Sequence, residues 1–128
     1  MNPLAAEWVT KAEGDYVTAR RERFARRAPN YDAACFHAQQ TAEKYLKAFL
    51  QEHQIPPPRT HDLVELLSLC QPIEPTLALI EPDLKSLSGY SVAIRYPGQT
   101  SAKEDALQAI HQAGIVRHFI RARLNLPD

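Results

Sequence analysis

Apolar residues recur at spacings of three and four along most of the 128-residue chain, and the longest unbroken run covers residues 31–53. There Cys35, Ala38, Ala42, Leu46 and Phe49 stack on one helical face. His37, Gln40, Lys44 and Lys47 recur at the same spacings on the opposite face. The pattern predicts a helix whose apolar face enters a core of packed helices. Its polar face is expected to stay outside, and any site should involve it.

Other helices should cover the apolar face. Residues 4–27 carry a stripe of Leu4, Trp8, Ala12, Tyr16 and Ala19, which Pro29 stops. Asn30 or Asp32 can cap the helix that follows. Pro56, Pro57 and Pro58 make a stiff corner. A helix over residues 60–70 then buries Leu63, Leu66, Leu67 and Cys70, with Thr60 as N-cap and Asp62 in its first turn. Residues 76–94 bury Leu77, Ile80, Leu84 and Leu87, with a kink or fresh start at Pro82. The last helix, over residues 102–124, opens on a capping box of Ser101 and Glu104. It buries Ala106, Ile110, Ala113, Ile120 and Leu124. No repeat, low-complexity segment or strand pattern interrupts this series. It predicts one all-α domain over residues 1–128, a bundle of antiparallel helices with short connections.

Composition narrows the classes. The 15 basic and 15 acidic residues cancel, so no global charge draws the chain to nucleic acid or membrane. The distribution is uneven, however. Arg20, Arg21, Arg23, Arg26 and Arg27 crowd the end of the first helix, either as a patch for phosphate or an acidic partner, or as a solvated end that complements the helix dipole. Cys35 and Cys70 each fall within an apolar stripe, which suits buried thiols in a reducing compartment. No apolar run is long enough to span a bilayer, and the first residues are charged too early for a signal peptide. A cytoplasmic location is expected.

Three constellations are candidates for a site. His37, Gln40, Lys44 and Lys47 suit a phosphate or a partner's carboxylates, or are ordinary surface polarity. Arg59 and His61 flank the start of the third helix, where free amides attract anions; capping alone also accounts for them. Arg95 and Tyr96 stand in a loop and suit a nucleotide by charge and stacking, or close the bundle end. No Gly-rich phosphate loop, HExxH, CxxC or zinc-spaced Cys/His cluster is present, so no cofactor or metal is expected.

The segments CFHAQQTAEKYLKAFL, RTHDLVELL and SVAIRYPG, in this order and spacing, resemble the HEPN family, the higher eukaryote and prokaryote nucleotide-binding domains. The resemblance spans nearly the whole chain. It implies a five-helix domain built on a four-helix up-and-down bundle, a homodimer, and a partnership with a minimal nucleotidyltransferase. In such pairs the HEPN chain is a nucleotide- or substrate-binding subunit, or the toxin of a toxin–antitoxin pair. The family's ribonucleases carry an Arg and a His separated by four to six residues; after Arg95 the corresponding positions hold Thr100, Ser101 and Ala102. Cleavage of RNA by general acid–base chemistry normally uses a group that titrates near neutrality, and His is the usual one. The expected function is a non-catalytic nucleotide- or RNA-binding subunit. The alternatives are a ribonuclease toxin with a non-standard site and a plain dimerising protein.

Overall fold

The helix predicted at residues 31–53 forms as α2 (Tyr31–Glu52) in a computed structural model that describes residues 1–92 and 96–128. The Asn30 side chain caps it by accepting from the Ala33 amide at 2.9 Å. Cys35, Ala38, Ala42, Leu46 and Phe49 are all fully or almost fully buried, as their spacing predicts. Each large side chain among them contributes about 1.5–3 kcal/mol by leaving water. The remaining α-helices are α1 (Pro3–Phe24), α3 (Leu63–Cys70), α4 (Glu81–Leu87) and α5 (Lys103–Arg123). Two 3-10 turns, Pro75–Ile80 and Ser88–Tyr90, flank α4, and the described residues form no strand.

Side-chain contacts fix the directions. α1 runs antiparallel to α2, with the Asn2 amide donating to Glu52 at 2.7 Å at one end of the pair. α5 runs parallel to α2: the Ser101 amide donates to Asp32 at the start of α2, and Arg121 donates to Tyr45 further along. Between them the segment from Pro75 to Tyr90 climbs the other way, with Arg123 near Thr76 and Glu74 at its lower end. These four arms make the up-and-down bundle. α3 is the additional helix, laid along α2, with the Cys70 thiol 3.8 Å from the Leu46 carbonyl. One cluster of buried residues joins all five helices, from Ala12 to Leu124.

Several local expectations shift. α3 begins at Leu63, because Asp62 rather than Thr60 is its N-cap and accepts from the Val64 and Glu65 amides. The Thr60 hydroxyl accepts from the Asp62 amide instead. The box at the start of α5 moves one residue along: the Ala102 amide donates to Asp105 at 2.7 Å, and Ser101 is held by Asp32. The arm expected over residues 76–94 is a 3-10 turn that becomes α4 at Glu81, with Pro82 in the first turn, where its missing N–H costs nothing. α1 is rotated from its predicted stripe. Ala5, Ala12, Asp15 and Ala19 are buried, whereas Leu4 is 54% exposed.

Candidate functional site

The polar row of α2 does not face solvent, because α1 lies across it. Asp15 of α1 meets this face and is itself buried. The His37 ring nitrogen Nδ1 lies 2.7 Å from Asp15 Oδ1, and the Lys44 ammonium donates to Asp15 Oδ2 at 2.5 Å. Further along, Lys47 donates to Glu43 at 3.0 Å and sits 5.3 Å from the centre of the Trp8 ring. Glu43 also receives His61 Nδ1 at 2.9 Å, and the Gln40 amide lies within 3.5 Å of it. Gln40 donates to Gln39, which reaches the His61 carbonyl at 3.1 Å. A cation buried beside a carboxylate is stable only when so paired. The α2 row is therefore stitched into the bundle by two internal carboxylates.

The structure thus brings Gln40, Lys47 and His61 together around Glu43, and His37 and Lys44 around Asp15. It joins neither group to Arg59 or Tyr96. Arg59 is exposed and has no ion pair among the described residues. Tyr96 is 72% exposed. Arg95 lies outside the described residues. His61 keeps 70% of its side chain open while Glu43 holds one ring nitrogen, so Glu43 orients the imidazole. The positions that hold His in the family's ribonucleases, Thr100, Ser101 and Ala102, lie at the α5 cap.

A third carboxylate, Glu13, was not among the sequence candidates. Arg117 grips it with two 2.8 Å hydrogen bonds, the geometry that suits a guanidinium fork. The Tyr45 hydroxyl donates to Glu13 at 2.7 Å and accepts from Arg121 at 3.0 Å. Hydrogen bonding from Arg117 holds the Glu13 carboxyl below its ordinary range against the opposing effect of burial. The same bond raises Arg117 further. Burial pushes the Tyr45 hydroxyl up to about 12, so it stays protonated and keeps donating. Burial likewise raises both thiols, Cys70 to about 12, which makes them core residues rather than nucleophiles.

The arginines at the end of α1 are in the opposite condition. Arg20, Arg21, Arg26 and Arg27 are exposed and Arg23 is half-buried. None has a carboxylate partner among the described residues. Their contacts are aromatic: the Arg23 guanidinium lies 4.1 Å from the centre of the Phe24 ring and Arg20 lies 5.8 Å from that of Tyr16. Phe24 is 60% exposed. The helix ends there because Ala25 turns extended, and Ala28 takes a left-handed conformation before Pro29. Surface grooves lie elsewhere, beside Leu4 and Trp8, between Tyr16 and Phe119, and between Gly89 and Ser101.

The HEPN domain model matches residues 5–123 of the chain. The chain belongs to the HEPN domain family. Two solved structures share its fold. TT1696 from Thermus thermophilus has a TM-score of 0.81 and 24% identity, with 95% of this chain and 98% of that one covered. ST0689, an archaeal HEPN homologue, has a TM-score of 0.69 and 24% identity, with 93% and 96% covered. No curated protein matches. The HEPN resemblance read from the three sequence segments is thus confirmed, as is its helical bundle. Among the described residues, no helix is long and apolar enough to cross a membrane.

Proposed function

We propose that this HEPN protein is a non-catalytic nucleotide- or RNA-binding subunit that works with a minimal nucleotidyltransferase, in one version as half of a toxin–antitoxin pair. The observation that carries the binding half is the set of five arginines at the end of α1 that no carboxylate of the described residues neutralises. In a chain of zero net charge, such a cluster is available to an external polyanion. The α2 row contributes differently from its sequence expectation. Its cations serve Asp15 and Glu43, so they shape the bundle behind a surface rather than forming that surface. The non-catalytic half rests on Thr100, Ser101 and Ala102 standing where a ribonuclease of the family would place its His.

Self-association as a two-fold dimer belongs to the same reading. A groove of about 350 Å³ between Tyr16, Ile110 and Phe119 on the α1–α5 face supports it, since a second copy is the commonest cover for such a surface. The ribonuclease reading keeps one observation in its favour, the exposed imidazole of His61 oriented by buried Glu43.

Affinity purification from the native host, with mass spectrometry of the co-purifying chains, tests the partnership. A small nucleotidyltransferase in comparable amount is the expected result, and its absence would remove that half of the proposal. Purified chain incubated with RNA should leave it intact; sustained cleavage that Arg95→Ala or His61→Ala abolishes would establish the ribonuclease reading instead.

A further inference from the structure

We infer that the arginine end of α1 binds an extended single-stranded polynucleotide rather than a mononucleotide, with Phe24 as the platform for a base. This rests on the nucleotide- or RNA-binding reading above and specifies the form of its ligand. Two observations lead to it.

The first is the shape of the cationic surface. Arg20 to Phe24 occupy about 6 Å of helix, and the three residues beyond run non-helically for up to about 10 Å more. Charge is thus spread over the length of this end rather than gathered at one point. Arg21, Arg26 and Arg27 are exposed and line none of the three grooves described above. Small ligands are held in concave sites that bury most of their surface. Open guanidinium groups spread over this length instead suit repeated phosphates, each of which releases counterions when neutralised.

The second is Phe24. A phenyl ring left 60% exposed at the tip of a helix is a cost in water. Arg21 stands three residues before it in sequence and is exposed. Arg23 covers part of it at 4.1 Å. Aromatic rings set among cations are how sequence-tolerant single-strand binders hold bases, because every base has a stacking face. An acidic protein surface would use the arginines but not the ring.

The test is fluorescence anisotropy with a labelled oligouridine RNA of about 12 nucleotides and its DNA counterpart, a length within the range that single-strand domains cover. Titrations compare wild type, the Arg21→Glu/Arg26→Glu double variant, Phe24→Ala, and Lys11→Glu as a control about 20 Å back along α1. AMP, ATP and an oligoglutamate serve as competitors, and circular dichroism checks that each variant keeps its helix content. Both charge reversals lie at exposed positions; should the double variant unfold, Phe24→Ala decides alone. The expected result is binding of at least one oligonucleotide, weakened at least tenfold by the double variant and about tenfold by Phe24→Ala, and unchanged by Lys11→Glu. Binding should fall with salt, with a logarithmic slope reduced by about 0.7 for each phosphate that a variant no longer neutralises. Competition by AMP or ATP as effective as by the oligonucleotide at equal phosphate concentration would overturn the inference, as would tighter binding of oligoglutamate that Phe24→Ala leaves intact. Equal oligonucleotide binding by wild type and both site variants would overturn this site while leaving the broader reading standing. No binding of any oligonucleotide or nucleotide would overturn both.

Discussion

Arginine occurs in two conditions in this molecule, along α5 and at the end of α1. Along α5, Arg117 and Arg121 converge on Glu13, and Arg123 lies 3.9 Å from Glu74 with its guanidinium over Phe119. At the end of α1, Arg20, Arg21, Arg23, Arg26 and Arg27 have aromatic contacts or none, and no carboxylate among the described residues. The residue type is the same; the difference lies in what faces it. α5 packs against α1 and α2, where Glu13 and Tyr45 await, so its arginines direct their hydrogen bonds inside the molecule. At the end of α1 no described carboxylate lies within ion-pair distance, so its arginines keep theirs for something outside. Charge count alone therefore says little about binding, and the pairing of each cation says much more.

Glu13 is where this contrast can be broken most directly. Glu13→Ala leaves Arg117 and the Tyr45 hydroxyl without their acceptor and removes one acceptor of Arg121, and should lower stability by about 2–3 kcal/mol. Urea denaturation followed by circular dichroism measures it; a loss under about 0.5 kcal/mol, the usual scatter of surface substitutions, would mean the α5 arginines are not structural.

The same carboxylate gives a pH dependence. Its folded pKa lies below its ordinary value of 4.5. The group therefore contributes stability that is fully present above that value and is lost as pH falls through the folded pKa. Glu13→Gln removes the component. The gap between wild type and variant should be widest above about pH 4.5 and narrow on acidification. A gap that widens toward acid would reverse the assignment.

Part of this was legible in the sequence. The apolar stripes of α2, α3 and the Leu77–Leu87 segment place the buried residues correctly, because a period near 3.6 reports burial directly. The same periodicity cannot say what lies opposite a polar row. His37, Lys44 and Lys47 read as a solvent face because nothing in their spacing shows that α1 covers them. The available signal was complementary charge: Asp15 on α1, and Glu43 four residues before Lys47. Capping was legible in type but not in register. Asp62 displaced Thr60, and Asp105 displaced Glu104, each because its helix begins later than the pattern predicts. The arginine cluster was visible, but its lack of internal partners is a property of the fold alone.

Tyr45→Phe should act more mildly. It removes one donor to Glu13 and one acceptor for Arg121 while preserving the buried ring, at about 1 kcal/mol. Equality with Glu13→Ala would show that the hydroxyl, rather than the guanidinium fork, holds the network. The smallest effect is expected at the other set of arginines. The Arg21→Glu/Arg26→Glu double variant should stay within about 0.5 kcal/mol of wild type for each substitution in the same urea titration. A larger loss would mean that this end of α1 is as structural as α5.

Side-chain Nε–H resonances of the ten arginines, followed by NMR as an oligouridine is titrated, test the division itself. The account predicts shifts at Arg20, Arg21, Arg23, Arg26 and Arg27, with Arg117 and Arg121 unmoved because Glu13 and the Pro127 carbonyl continue to hold their Nε–H groups. Shifts centred on Arg117 and Arg121, or no shift at the α1 end at saturating ligand, would contradict it.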